Sequence, residues 1–149
     1  MRRAAAAFLT VFLVLATAVV TLGDQSDAGK DQGDFLSSLV GSYEVIGRFP
    51  ESLKTYSGTV NISRKGNSLV LERKINGVKT SGEASIQSAT ADNIPVVRAA
   101  WKHEKTAYGA TYLVHTDLDN YPRLTGYIYL PGRETKKPGI EALFVTARP

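Results

Sequence analysis

The stretch SRKGNSLVLERKINGVK, residues 63–79, decides the fold. It begins and ends near tight-turn signals, KGN at 65–67 and Asn76-Gly77, because Gly and Asn accept a positive φ at little cost. Between them Leu69, Leu71, Arg73 and Ile75 share one side of an extended chain, and Val70, Glu72 and Lys74 share the other. A strand entered and left through such short turns pairs antiparallel with both of its sequence neighbours. That is one link of a meander.

Reading outward, the same grammar of strand and turn holds from residue 42 to the end of the chain. Eight runs of strand length stand at 42–49, 55–63, 68–75, 78–86, 94–102, 108–116, 123–130 and 140–147, each bounded by turn residues. TADN before the fifth run and PGRETKKPG before the eighth are longer loops. Before the first run, DFLSSLV predicts one helical turn capped by Asp34, with Phe35, Leu36, Leu39 and Val40 on one face. A hydroxyl-Gly-x-apolar-x-aliphatic pattern recurs at Ser57–Ile62, Ser81–Ile86 and Thr125–Leu130. A glycine inside a strand lets it bend where a sheet coils on itself. The expected fold is therefore all-β, an eight-stranded antiparallel up-and-down barrel with a short N-terminal helical turn. A two-sheet β-sandwich is the alternative that periodicity leaves open.

The N-terminus has the layout of an export signal. Arg2 and Arg3 precede an uncharged apolar run at 4–22, followed by small residues. The expected organisation is a signal peptide at 1–23, a flexible polar leader at 24–33 and a single barrel domain at 34–149, secreted or periplasmic after cleavage and not held in a membrane. Removing Arg2 and Arg3 leaves 16 basic against 14 acidic side chains, about +2 and interspersed in sign. No basic stripe runs along the chain, which argues against nucleic acid. The chain has no cysteine, so neither a disulfide framework nor thiolate chemistry is available, and the domain must stand on its core.

Two patches resemble lipocalins. Gly41-Ser42-Tyr43 opens the first strand after a helical turn, where lipocalins carry Gly-x-Trp. Thr116-Asp117 followed by Tyr121 is similar to their second signature, between the sixth and seventh strands. The resemblance implies a calycin-type barrel that takes a small molecule into its mouth. The Trp101-Lys102 strand is also similar to the aromatic strand of avidin-like barrels, the other family of this shape.

Chemistry-bearing residues are few. Asp117, Asp119 and Asn120 begin a calcium-loop spacing, but Tyr121-Pro122 breaks it and no closing Glu follows, so they read as the corner of a hairpin. His103 and His115 have no partner at metal-ligand spacing and read as solvent-facing strand histidines. Neither Gly-x-Ser-x-Gly nor a phosphate-cradling loop occurs. No catalytic residue, metal site or cofactor is expected.

The lumen holds the candidate site. Tyr56, Gly58, Val60 and Ile62 share a face with strand periodicity, as do Tyr108, Ala110, Tyr112 and Val114, and Leu124, Gly126, Ile128 and Leu130. The fifth strand reads either way, with Arg98 on one face and Trp101 on the other. Tyr43, Tyr56, Leu71, Arg73, Arg98, Trp101, Tyr112 and Ile128 form the expected ligand-binding set. An inward Arg73 or Arg98 needs a counter-charge, which a ligand carboxylate or a protein carboxylate such as Glu141 or Glu72 can supply.

Three functions follow. The first is a binding barrel for a small apolar or anionic molecule. The second is a filled barrel of protease-inhibitor or adhesion type, meeting a protein partner through loops 49–54 and 132–138 and the outward Tyr127 and Tyr129. The third is an enzyme, for which no acid/base pair is visible.

Overall fold

The computed structural model describes residues 33–115 and 123–149. Eight antiparallel strands follow one another in sequence and close on themselves: β1 (Gly41–Arg48), β2 (Thr55–Lys65), β3 (Ser68–Ile75), β4 (Val78–Ser88), β5 (Pro95–His103), β6 (Thr106–His115), β7 (Arg123–Tyr129) and β8 (Gly139–Ala147). Each pairs with its neighbour in sequence, and β8 returns to β1 with Val45 opposite Leu143. The closed ladder removes both sheet edges, and the sandwich alternative falls with it.

All eight expected runs are strands, with ends displaced by no more than two residues where both ends are described. Asn76 and Gly77 both take positive φ, 49° and 84°, the signature of a type I′ hairpin whose twist matches that of its strands. The aspartate corner at 117–120 and the export signal at 1–23 lie outside the described residues, as does all of the polar leader except Gly33.

The inner faces on β2, β3, β6 and β7 follow the alternation read from sequence, with Val60, Ile62, Leu69, Leu71, Ala110 and Leu124 among their buried residues. β5 resolves to Val97, Ala99, Trp101 and His103 facing in, which turns Arg98 out. β8 turns Glu141 and Leu143 in and Ile140 and Phe144 out.

Among the described residues, both ends of the barrel are covered. At one, the helix at 33–38 buries Leu36, and Leu39 just after it is buried too. The Tyr43 hydroxyl donates to the Leu39 carbonyl at 2.8 Å. Arg64 ties the helix from outside, donating to Gly33 O and Ser37 Oγ, each at 2.9 Å. At the other end the β1–β2 and β7–β8 loops are joined through Glu51. Its carboxylate accepts the backbone N–H of Lys136 at 2.7 Å and of Lys137 at 3.1 Å, while its own N–H donates to Lys137 O at 2.9 Å. This anchorage sets Phe49 over the lumen, its ring 4.4 Å from Tyr56 and 5.1 Å from both His103 and Tyr108, centroid to centroid.

Candidate functional site

The middle of the lumen is built on one row of paired residues. Across β2, β1, β8, β7 and β6 the register reads Tyr56, Gly47, Glu141, Gly126, Tyr112. Glu141 is flanked on each side by a glycine, and beyond each glycine stands a tyrosine. The glycines are what let the tyrosines reach it. A Cβ at Gly47 would lie 2.7 Å from the Tyr56 hydroxyl, and one at Gly126 would lie 2.8 Å from the Tyr112 Cα.

The two tyrosines converge on the carboxylate. Tyr56 donates its hydroxyl to Glu141 Oε1 at 2.7 Å, and Tyr112 donates to Oε2. Arg73, entering from β3, completes a bidentate pair: Nη2 donates to Oε1 and Nη1 to Oε2, the latter at 3.3 Å. Glu141 thus accepts four hydrogen bonds, about the capacity of a carboxylate. Arg73 and Glu141 are both sealed from solvent.

The guanidinium also lies 4.1 Å above the centre of the Trp101 ring, a cation–π contact worth up to about 2 kcal/mol in a dry setting. Trp101 in turn stacks on Tyr108 at 5.9 Å. The Arg73 Nε, Thr80 Oγ1 and His103 Nδ1 atoms are buried without a hydrogen-bond partner among the described residues, the residual polar cost of the arrangement.

The electrostatics follow from burial. Removal from water disfavours tyrosinate and the Glu141 carboxylate disfavours it further, so the Tyr56 and Tyr112 hydroxyls are held well above the ordinary tyrosine value. Tyr43 is pushed up to about 12 by burial, offset in part by the Arg148 guanidinium. For Arg73, desolvation works against the charge and the Glu141 carboxylate more than reverses it, so the guanidinium is held above its usual value.

Of the eight residues expected to hold a ligand, Tyr56, Arg73, Trp101 and Tyr112 meet around Glu141. Leu71 and Ile128 line the apolar wall, and Tyr43 faces the helix-capped end. Arg98 does not join them. It is exposed on the outside of β5, where it borders an outer groove of about 470 Å³ with Glu83, Ser85 and Gln87. The inward reading of Arg98 fails because Trp101, an odd number of residues away, takes the lumen. A strand cannot turn both inward.

His103 is also corrected. It is 9% exposed and lies under Phe49 instead of facing solvent. His115 does face outward, 2.8 Å from Thr125 Oγ1. Glu72, the other carboxylate considered for Arg73, is outside.

Grooves of ligand size open on the outer surface. One of about 710 Å³ crosses β1 to β4 beside the outward Ser42, Thr59, Asn61, Glu72, Lys74 and Ser81. Another, of about 540 Å³, lies over Gly58 between Ile46, Ser57, Thr59 and Phe144. No protein-family model matches the chain, and no curated protein matches it.

Proposed function

We propose that this protein is a non-catalytic recognition barrel whose lumen is a structural core and whose contacts are made from the outside. One observation carries the reading: the carboxylate that Arg73 requires is supplied by Glu141 of the same chain, with both oxygens already taken. A ligand carboxylate seeking that fork would have to displace a bidentate, tyrosine-braced partner that the fold itself holds against Arg73 from 68 residues along the chain. His103 and Glu141 lie behind the Phe49 cap, which supports the reading that neither performs acid/base chemistry on a substrate.

The partner class that fits best is another protein. The loops at 49–54 and 130–138 are locked into one rigid edge by Glu51, and Leu53 stands exposed upon it. A rigid edge with an apolar tip costs little ordering entropy on docking. The finer likeness to lipocalins is supported by the Gly41-Ser42-Tyr43 opening of β1 directly after the short helix. Export is supported by Arg2, Arg3 and the uncharged run that follows them.

Trp101 is the only tryptophan in the chain and stacks on Arg73, so its fluorescence reports on the lumen. Titration with a panel of apolar carboxylates, long-chain fatty acids included, is expected to leave its emission unchanged. A saturable shift would overturn the proposal and return the lumen to ligand binding.

A further inference from the structure

The outer surface of the barrel is divided. Over β2 to β5 it is mainly polar, carrying Ser57, Asn61, Lys74, Lys79, Glu83 and Arg98 among its exposed residues, with Val78 38% exposed at the start of β4. Over β1, β8 and β7 it is not. Ile46 is 54% exposed, Ile140 52%, Phe144 42% and Tyr127 64%. The register makes these neighbours: Ile46 stands opposite Ala142, Phe144 opposite Glu44, and Ile140 lies between Arg48 and Tyr127. A contiguous apolar patch of this kind, rimmed by charge, marks an interface more often than scattered surface residues do.

The charges indicate what covers it. Glu44 and Arg48 flank Ile46 on the same strand and both point outward. Four residues of extended chain hold them about 13 Å apart, too far to pair with each other. Neither forms an ion pair among the described residues, and one Arg48 Nη2 donor reaches only Pro138 O at 3.4 Å.

Consider a two-fold axis lying across the strands, along the row Ile46–Ala142–Thr125. It sets β1 antiparallel to β1 of a second copy. Glu44 then faces Arg48 of the second copy and Arg48 faces its Glu44, while Ile140 faces Phe144 and Phe144 faces Ile140. Ile46 meets Ile46 at the axis, where the small Ala142 leaves room for close approach. The patch is complementary to itself, as an isologous interface must be.

We infer that the β1–β8–β7 face is a homodimer interface, closed by two reciprocal Glu44–Arg48 pairs around an apolar centre. The inference rests on the reading that the outside of the barrel makes the contacts. A block of three strands by five residues measures roughly 10 Å by 13 Å between its outer Cα atoms, below the roughly 800 Å² per partner of a standard interface, and belongs with weak, transient contacts of about micromolar strength.

The test is sedimentation of the protein purified from cells expressing the full chain, from about 1 μM to about 100 μM, a range bracketing that affinity. The expected result is a reversible monomer–dimer equilibrium. Glu44→Arg and Arg48→Glu should each weaken it at least tenfold, because each sets like charges face to face. The double variant E44R/R48E should restore it, because the swap regenerates both pairs. Circular dichroism of the same samples checks that the barrel is intact.

A monomer throughout the range overturns the inference, and so does a dimer that the single reversals leave unchanged or that the double variant does not rescue. A ligand-free monomer would leave the filled-lumen reading standing. A dimer carrying a lumen ligand would remove that reading and keep this one.

Discussion

At the scale of single residues, Glu141 is the position on which the interior depends. It neutralises Arg73 and accepts both tyrosine hydroxyls. Glu141→Ala leaves a buried guanidinium and two buried hydroxyls without partners, and is expected to cost about 3–5 kcal/mol in urea unfolding. The double variant R73M/E141Q removes the charge while keeping an oxygen for the tyrosines, and is expected to unfold at higher urea than Glu141→Ala. If the double variant is the weaker protein, the pair contributes more than charge cancellation.

The tyrosines give a second prediction at this scale. Their folded-state values lie above the ordinary 10.0, so between pH 10 and those values the unfolded chain has released protons that the barrel still holds. Stability is therefore unaffected by them below pH 10 and falls above it, by about 1.4 kcal/mol per pH unit for each tyrosine so held. Thermal midpoints measured from pH 8 to pH 12 should show the break near 10. A flat profile would mean that these hydroxyls are solvated.

Part of this was legible in the sequence. Arg73 in an apolar alternation demanded a counter-charge, and Glu141 was one of two carboxylates in view. The choice between them was not legible, since each face of β8 carries a large apolar residue: Leu143 and Val145 on one, Ile140 and Phe144 on the other. The face holding a charge looks like the outer one. Here it is the inner one, because Arg73 is already inside.

At the scale of strands, the recurring glycines gain a specific meaning. They were legible as places where a strand bends, but the register assigns them space as well. Gly126 sits where a Cβ would come within 2.0 Å of Thr111 O, and Gly58 where one would come within 2.1 Å of Lys74 O. Neither has a positive φ, so the demand is for close approach of backbone and not for an unusual conformation. Gly126→Ala must push β7 from β6 beside Tyr112, with an expected loss of about 1–3 kcal/mol, read as a lower urea midpoint at unchanged slope. A change in slope instead would mean that the denatured ensemble had changed. The strands themselves were plain from turn chemistry and alternation. β5 was not, because its two faces, Val97-Ala99-Trp101 and Val96-Arg98-Ala100, differ by a single charge. The sequence also gave no local sign that Phe49 and His103 stack: they lie on different elements and meet only after closure.

At the scale of the whole molecule, the sheet is closed on itself, and the described residues cover both ends of it, the helix with Leu36 and Leu39 at one and Phe49 at the other. Between the stops, the space that calycin-type barrels can give to a ligand holds Arg73, Glu141, Trp101 and two tyrosines. Strand count alone could not distinguish a filled shell from an open one, because the difference lies in which face of β8 turns in. The measurement that bears most directly on this is native mass spectrometry of the protein purified from its own cells, beside a denatured control. Under native conditions the bare mass of the chain or of its dimer is expected, and in the denatured control that of the chain alone; the same spectra read whether the N-terminus is cut, and where. A small-molecule increment carried by the chain under native conditions and lost on denaturation would contradict the filled-lumen account.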